Sequence, residues 1–311
     1  MSSLSNLDNI RLLGDNADVI VVSDDARLCE ELVELGLPTV PWTPDLTVKD
    51  GITVVLALCH RLVSRAVRRQ FCKAAVLVLP IASFDNSFES IRYTMELAFA
   101  TDYADTCRRN REWIQLLTDK ADPIVRFRGS STDLQCRVHD DIRAHTSLEL
   151  GITPGEWVSI ADYCEVSITA PSQADWCGAF TIDGYADAVG VLVAEDSRVT
   201  PIGHERIEAA KELRAEFVEK GPVRLELQEG VLCSVVVDGR ERLREVSEVT
   251  NPEYGLHTLE LGLGTNPGIS PLVDWNINSQ LNEGVEKIHL GFGEGITGAH
   301  MDFIVGDVKV G

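Results

Sequence analysis

Between Gly255 and Val305 the chain carries three short strand-like runs, each with side chains able to hold a metal ion. Successive side chains of a strand point to opposite faces, so each run can be read for alternation. In LHTLELGLG, Glu260 shares a face with Thr258, Gly262 and Gly264, while His257, Leu259, Leu261 and Leu263 take the other. In KIHLGFG, His289 lies with Gly291 and Gly293, opposite Ile288, Leu290 and Phe292. In AHMDFIV, the two-residue step points His300 and Asp302 the same way, opposite Met301, Phe303 and Val305. Glycine inside a strand costs stability and marks close approach by a ligand or another backbone. Carboxylate with imidazole suits zinc, manganese, cobalt or ferrous iron. One such residue on a strand is ordinarily solvated or hydrogen-bonded. Three coinciding in one glycine-rich region point to a divalent-metal site.

These runs also carry a family resemblance. ELGLGTNPG, followed by LNEGVEKIHLGFG and HMDFIVG, resembles the C-terminal part of the M29 metallopeptidases, the aminopeptidase T-like group. It also resembles their relatives, the 2,5-dihydroxypyridine dioxygenases, which use a single ferrous iron. In the peptidases a Glu-Glu-His-His-Asp set binds two divalent metals, and the resemblance places Glu260, His289, His300 and Asp302 on that set. The run CEVSITAP is similar to the family's Gly-Glu-Val...Ala-Pro strand and adds Glu165. Its alternation agrees, with Glu165, Ser167 and Thr169 opposing Val166, Ile168 and Ala170. RFRGSSTDL resembles the family's turn containing Gly-Thr-Asp-Leu. The chain departs from the pattern in three places. Only Leu290 to Ala299 separate the two histidines, where the family has a longer Gly-Asn-rich loop; the family's Asp-Glu reads Asn282-Glu283; and its Gly-Thr reads Glu286-Lys287.

The elements that must position these residues fall into two groups. Strand-like ADVIVVSDD, ITVVLALC and AAVLVLP alternate with helical ARLCEELVELG and RLVSRAVRRQFCK, which argues for a small, mostly parallel open sheet. A helical stretch from Ser87 to Lys120 closes this part. The expected organisation is an α/β domain over residues 1–120, then a mainly β (α+β), M29-like domain over 121–311. In the second part, turns are expected at Asp183-Gly184 and around Glu195-Asp196, a helix from His204 to Gly221, a hairpin around Glu229-Gly230, and a short amphipathic helix before Pro252.

Composition narrows the function. A net charge of −21 without a basic patch argues against nucleic acid, and basic peptides or amines are better electrostatic partners. Eight cysteines without a Cys-x-x-Cys pair, in a chain with no secretory leader, read as reduced, mostly buried thiols of a cytoplasmic protein. No apolar run reaches membrane-spanning length. Gly293 to Gly298 matches GxGxxG, but no βαβ unit follows it. Cys164 has no sequence-evident His partner, and His257 sits on an apolar face. The expectation is a metal-dependent enzyme acting on a peptide or peptide-derived molecule, hydrolase rather than oxygenase. Glu165, Glu260, His289, His300 and Asp302 would hold zinc, manganese, cobalt or iron. If one ion binds, Glu165 or Glu260 is released as general base. The alternative is a catalytically silent member, needing no metal, that presents a precursor peptide in a natural-product pathway. The resemblance also admits a homodimer.

Overall fold

The computed structural model describes residues 7–14, 18–118, 124–138, 143–169, 180–306 and 308–310. The expected division at residues 120/121, together with His139, Ala170 and Cys177, lies outside the described residues. The first part runs through α1 (Asp8–Arg11), β1 (Val19–Ser23), α2 (Ala26–Glu34), β2 (Thr39–Pro41), β3 (Thr53–Ala57), α3 (Arg65–Gln70), β4 (Ala75–Leu79), α4 (Phe88–Ala100) and α5 (Tyr103–Thr118). Then follow β5 (Ile124–Arg128), β6 (Asp133–Val138), β7 (Arg143–His145), β8 (Trp157–Ser159), α6 (Ile160–Cys164), β9 (Glu165–Thr169) and β10 (Phe180–Ala194). The last part is α7 (Pro201–Lys220), β11 (Val223–Gln228), β12 (Val231–Val237), β13 (Arg240–Glu241), α8 (Leu243–Thr250), β14 (Thr258–Gly264), β15 (Ile288–Phe292), β16 (His300–Val305) and β17 (Lys309–Val310).

Five parallel strands form one sheet in the order β2-β1-β3-β4-β8. Its central strands read VIVVS, TVVLA and AVLVL, the continuous apolar runs of strands covered on both faces. Leu28, Leu32, Ile91 and Met95 cover one side, and Val67 and Phe71 the other. β8 returns to this sheet from the later part of the chain, pairing Val76 with Trp157. α6 follows it at once, closed by a capping box between Ser159 and Asp162. The helical stretch after Ser87 is two helices rather than one. Asp102 accepts bonds from the amides of Ala104 and Asp105 and so starts α5 afresh.

The second sheet is antiparallel, ordered β13-β12-β11-β10-β16-β15-β14-β9-β7, with β6, β5 and β17 branching from β10. The turn expected at Asp183-Gly184 is absent. β10 runs unbroken, and Gly184 takes φ +119°, where a Cβ would stand 2.0 Å from the Asp133 carbonyl oxygen. Close approach of β6, not chain reversal, is what that glycine serves. α7 begins at Pro201, earlier than expected, because Thr200 caps it. One face of the sheet packs Ile207, Ala210, Phe217 and Val246 of α7 and α8 onto Leu290, Phe292, Met301 and Phe303. No helix among the described residues is long and apolar enough to cross a membrane.

Candidate metal centre

The centre lies on the other face of that sheet, across β9, β14, β15 and β16. Antiparallel register puts Gly264 opposite Glu165, Gly262 opposite Ser167 and also opposite His289, and Gly291 opposite both Glu260 and Asp302. The glycines clear the space. A Cβ on Gly262 would lie 1.8 Å from His289 Cε1, and one on Gly291 would lie 2.8 Å from each of Asp302 Oδ1, Glu260 Cβ and His300 Cε1. All five residues expected at the site are brought together here. α6 ends directly at Glu165, so this carboxylate opens β9 of the antiparallel sheet with no linker after the helix.

A sixth residue joins them. The ligand atoms form two groups, Glu165 with Glu283 and His289, and Glu260 with His300 and Asp302, each within 4.8 Å. Glu283 occupies the Asn282-Glu283 position but lies in an irregular turn, so no alternation marks it. Its loop, residues 265–287, covers the site and is fastened to the edge of the last residues of β10 that faces away from β16. The Asn278 side chain accepts from the Val193 amide at 2.9 Å and donates to the Val193 carbonyl at 2.7 Å. Arg214 donates to the carbonyls of Val191, Trp275 and Asn276. Asn282, which stands where the family has Asp, accepts from the Tyr93 hydroxyl at 2.6 Å and donates to the carbonyls of Asp274 and Ile277. The backbone of this loop passes so close to β14 that a Cβ on Gly264 would meet the Val285 carbonyl oxygen at 1.7 Å.

Within the centre, His289 Nε2 lies 3.6 Å from Glu165 Oε2 and 3.7 Å from Glu260 Oε1. His300 Nε2 lies 3.3 Å from Glu260 Oε2 and 3.0 Å from Asp302 Oδ1. Few of these contacts are hydrogen bonds. Glu165 Oε2, both ring nitrogens of His289 and Asp302 Oδ1 are buried without a hydrogen-bond partner. Buried polar atoms left unpaired are expensive, so atoms converging this way ask for an ion. Two partners orient the ligands: Ser167 Oγ donates to Glu260 Oε1 at 2.5 Å, and His300 Nδ1 lies 2.7 Å from the Gly293 carbonyl oxygen. The second contact leaves Nε2 facing the carboxylates, the arrangement seen in metal-bound histidines. The groups differ in access. Glu165, Glu283 and His289 are buried, whereas the Glu260 and His300 side chains keep 19% and 20% exposure.

The charges are strongly coupled. Burial pushes Glu165 up to about 8, with Glu260 and Asp302 adding to it against His289. Burial and the charges of Asp302, Glu165 and Glu260 hold Glu283 well above the usual range. Burial opposes the charged form of Glu260 as well, but His289 and His300 outweigh it and keep that carboxyl low. The same carboxylates overcome burial to raise His289 to about 9 and His300 well above its ordinary value. Four carboxyls and two imidazoles thus share protons among themselves, and a divalent cation could take the place of those protons. Cys164 is buried beside the site with its thiol pushed up to about 12, so burial keeps it an unreactive thiol. The seven described cysteines are free, and five of them are buried.

Two large cavities have none of the centre's six residues in their lining. One of about 670 Å³ is bounded by Arg109, Trp113, Leu116, Lys287 and Val310, and one of about 660 Å³ lies along the amino ends of the parallel strands at Thr53 and Ala75.

A family model described as "Crocagin biosynthetic protein CgnE/B" matches residues 16–311. No curated protein sequence matches the chain. Among solved structures, wild-type AmpT from Thermus thermophilus is similar at 14% identity, with a TM-score of 0.51 over 99% of this chain and 94% of that one. The fold is therefore the M29-like one, in the α/β part as well as in the β-rich part.

Proposed function

Since the chain belongs to the family of crocagin biosynthetic proteins CgnE/B, we propose that it serves a peptide natural-product pathway as a metal-dependent enzyme acting on a peptide or peptide-derived substrate. The observation that carries this reading is the convergence of buried, unpartnered atoms on Glu165, His289 and Asp302. The donor chemistry fits divalent zinc, manganese, cobalt or iron. Each group combines one histidine with two carboxylates, whereas iron oxygenases gather two histidines and one carboxylate on one ion. That difference favours hydrolysis. A divalent ion held there would lower the pKa of water and polarise a carbonyl. Ser167 and the Gly293 carbonyl would hold Glu260 and His300 in place. Of the two candidate bases only Glu260 reaches solvent, so with one ion at the buried group Glu260 would accept the proton from water.

The test is elemental analysis of protein purified without chelator or nickel affinity, beside a His300→Ala, Asp302→Ala double variant. Near-stoichiometric metal is expected, and the variant should lose the ion that the Glu260, His300 and Asp302 group holds, keeping only one seated at the buried group. Protein that stays empty when metal is added would sink the enzyme reading.

A second reading, a silent member that binds and presents a precursor peptide, draws support from the two large cavities, whose linings include none of the centre's residues. It predicts that the double variant binds peptide as tightly as the parent protein.

A further inference from the structure

The ten residues between the two histidines do more than connect them. β15 ends at Phe292, and the chain turns through Gly293 and Gly295, at φ +76° and +75°, before His300 opens β16. A Cβ on Gly293 would stand 2.1 Å from the Ala299 carbonyl oxygen, so the turn is closed on itself. Its shape is set by Glu294. Oε1 accepts from the Thr297 amide at 2.9 Å, from the Thr297 hydroxyl, and from the Tyr254 hydroxyl at 3.2 Å. Asn251 donates to Thr297 Oγ1 at 2.9 Å, and Arg206 donates to the Thr297 carbonyl at 2.7 Å. Thr200 bonds the Ile296 carbonyl from its amide and its hydroxyl. The residue next to Glu294 is Gly293, whose carbonyl oxygen lies 2.7 Å from His300 Nδ1.

We propose that Glu294 is a positioning residue for His300: by bracing this turn it fixes the Gly293 carbonyl that receives the His300 Nδ1–H, and so presents Nε2 to the metal group of Glu260 and Asp302. The consequence for metal rests on the function proposed above; the positioning itself does not.

The experiment compares ¹⁵N-labelled, chelator-treated wild type with Glu294→Ala, Glu294→Gln and Thr297→Val, using His300→Ala to assign the His300 Nδ1–H signal by its loss. Each protein is then titrated with Co²⁺, read by visible absorption. Wild type should show a slowly exchanging Nδ1–H. Glu294→Ala should lose that protection and bind one Co²⁺ roughly 10- to 100-fold more weakly, the usual range for removing an outer partner of a metal ligand. Thr297→Val should shift the same way. Glu294→Gln keeps an acceptor oxygen and should restore both readouts. An Nδ1–H that stays protected in Glu294→Ala and Thr297→Val, with Co²⁺ affinity unchanged, would overturn the proposal, as would a wild type with no protected Nδ1–H. Should the protection pattern hold while wild type takes up no Co²⁺, positioning stands and the metal-dependent function falls.

Discussion

A single methyl group added at residue 262 would meet the ring of His289, since its position is 1.8 Å from Cε1 and 1.9 Å from Nε2. The ring has nowhere easy to go, because His289 is buried with Glu165 and Glu283 against it. Gly262→Ala should therefore turn His289 out of the buried group and cost about 1–3 kcal/mol through overpacking. Urea unfolding would give the stability change, and elemental analysis should find the buried-group metal missing; unchanged metal content would count against the assignment. At this scale the sequence was unusually legible. Period-two alternation placed Glu260, His289, His300 and Asp302 on one face and explained the glycines among them. Glu283 escaped because it sits in a 3-10 turn after Gln280–Asn282, where no face is defined by spacing. The one signal was its place beside Asn282 in the family's Asp-Glu position.

The elements show a different balance. β10 looked like two strands because Asp-Gly ordinarily marks a turn, yet the same glycine can relieve a close approach between strands, and only the fold tells which. The upper half of β10 then has an edge without a neighbouring strand. Arg214 of α7 and Asn278 of the covering loop fill that role by bonding Val191 and Val193. Burial lowers the Arg214 pKa to about 10, so it is still charged at neutral pH and is satisfied by three carbonyl oxygens. Arg214→Met would keep the length of the side chain and strip those carbonyls of their donors. A loss of about 2–3 kcal/mol is expected, since stranded buried acceptors keep their desolvation cost. The loop carrying Glu283 should loosen with it. Faster amide hydrogen exchange across residues 273–284 than in wild type would report this, and unchanged exchange there would argue that Arg214 only packs.

At the scale of the whole molecule, the chain passes from the parallel sheet to the antiparallel one at the edge of the centre, two sheets that the sequence suggests as successive units. Trp157–Ser159 returns to the parallel sheet, α6 packs there through Ile160 and Tyr163, and Glu165 follows without an intervening residue. A short, unremarkable run such as EWVSIA gives no sign of which sheet it joins, because three residues of strand carry too little periodicity. Every ligand except Glu283 comes from a strand of the antiparallel sheet, Glu165 as the first residue of β9. An ion shared by Glu165 and His289 would join β9 to β15 across the intervening β14 and to the Glu283 loop, and it would replace the protons that these buried carboxyls otherwise hold. Binding to the folded state alone stabilises it by RT ln(1 + [L]/Kd), about 2.7 kcal/mol when free metal is 100 times Kd. For a chain of this size that corresponds to a Tm shift of roughly 5 °C. Chelation should lower Tm by about that amount, and added zinc or manganese should restore it. In Glu165→Ala the shift should shrink, because the buried group loses one of its three ligands, while Glu34→Ala, at the exposed end of α2 in the other sheet's layer, should keep it whole. A thermal melt indifferent to chelator and to added metal would mean that the four carboxylates are held apart by protons and histidine charge alone, and would turn the assignment toward the peptide-presenting role.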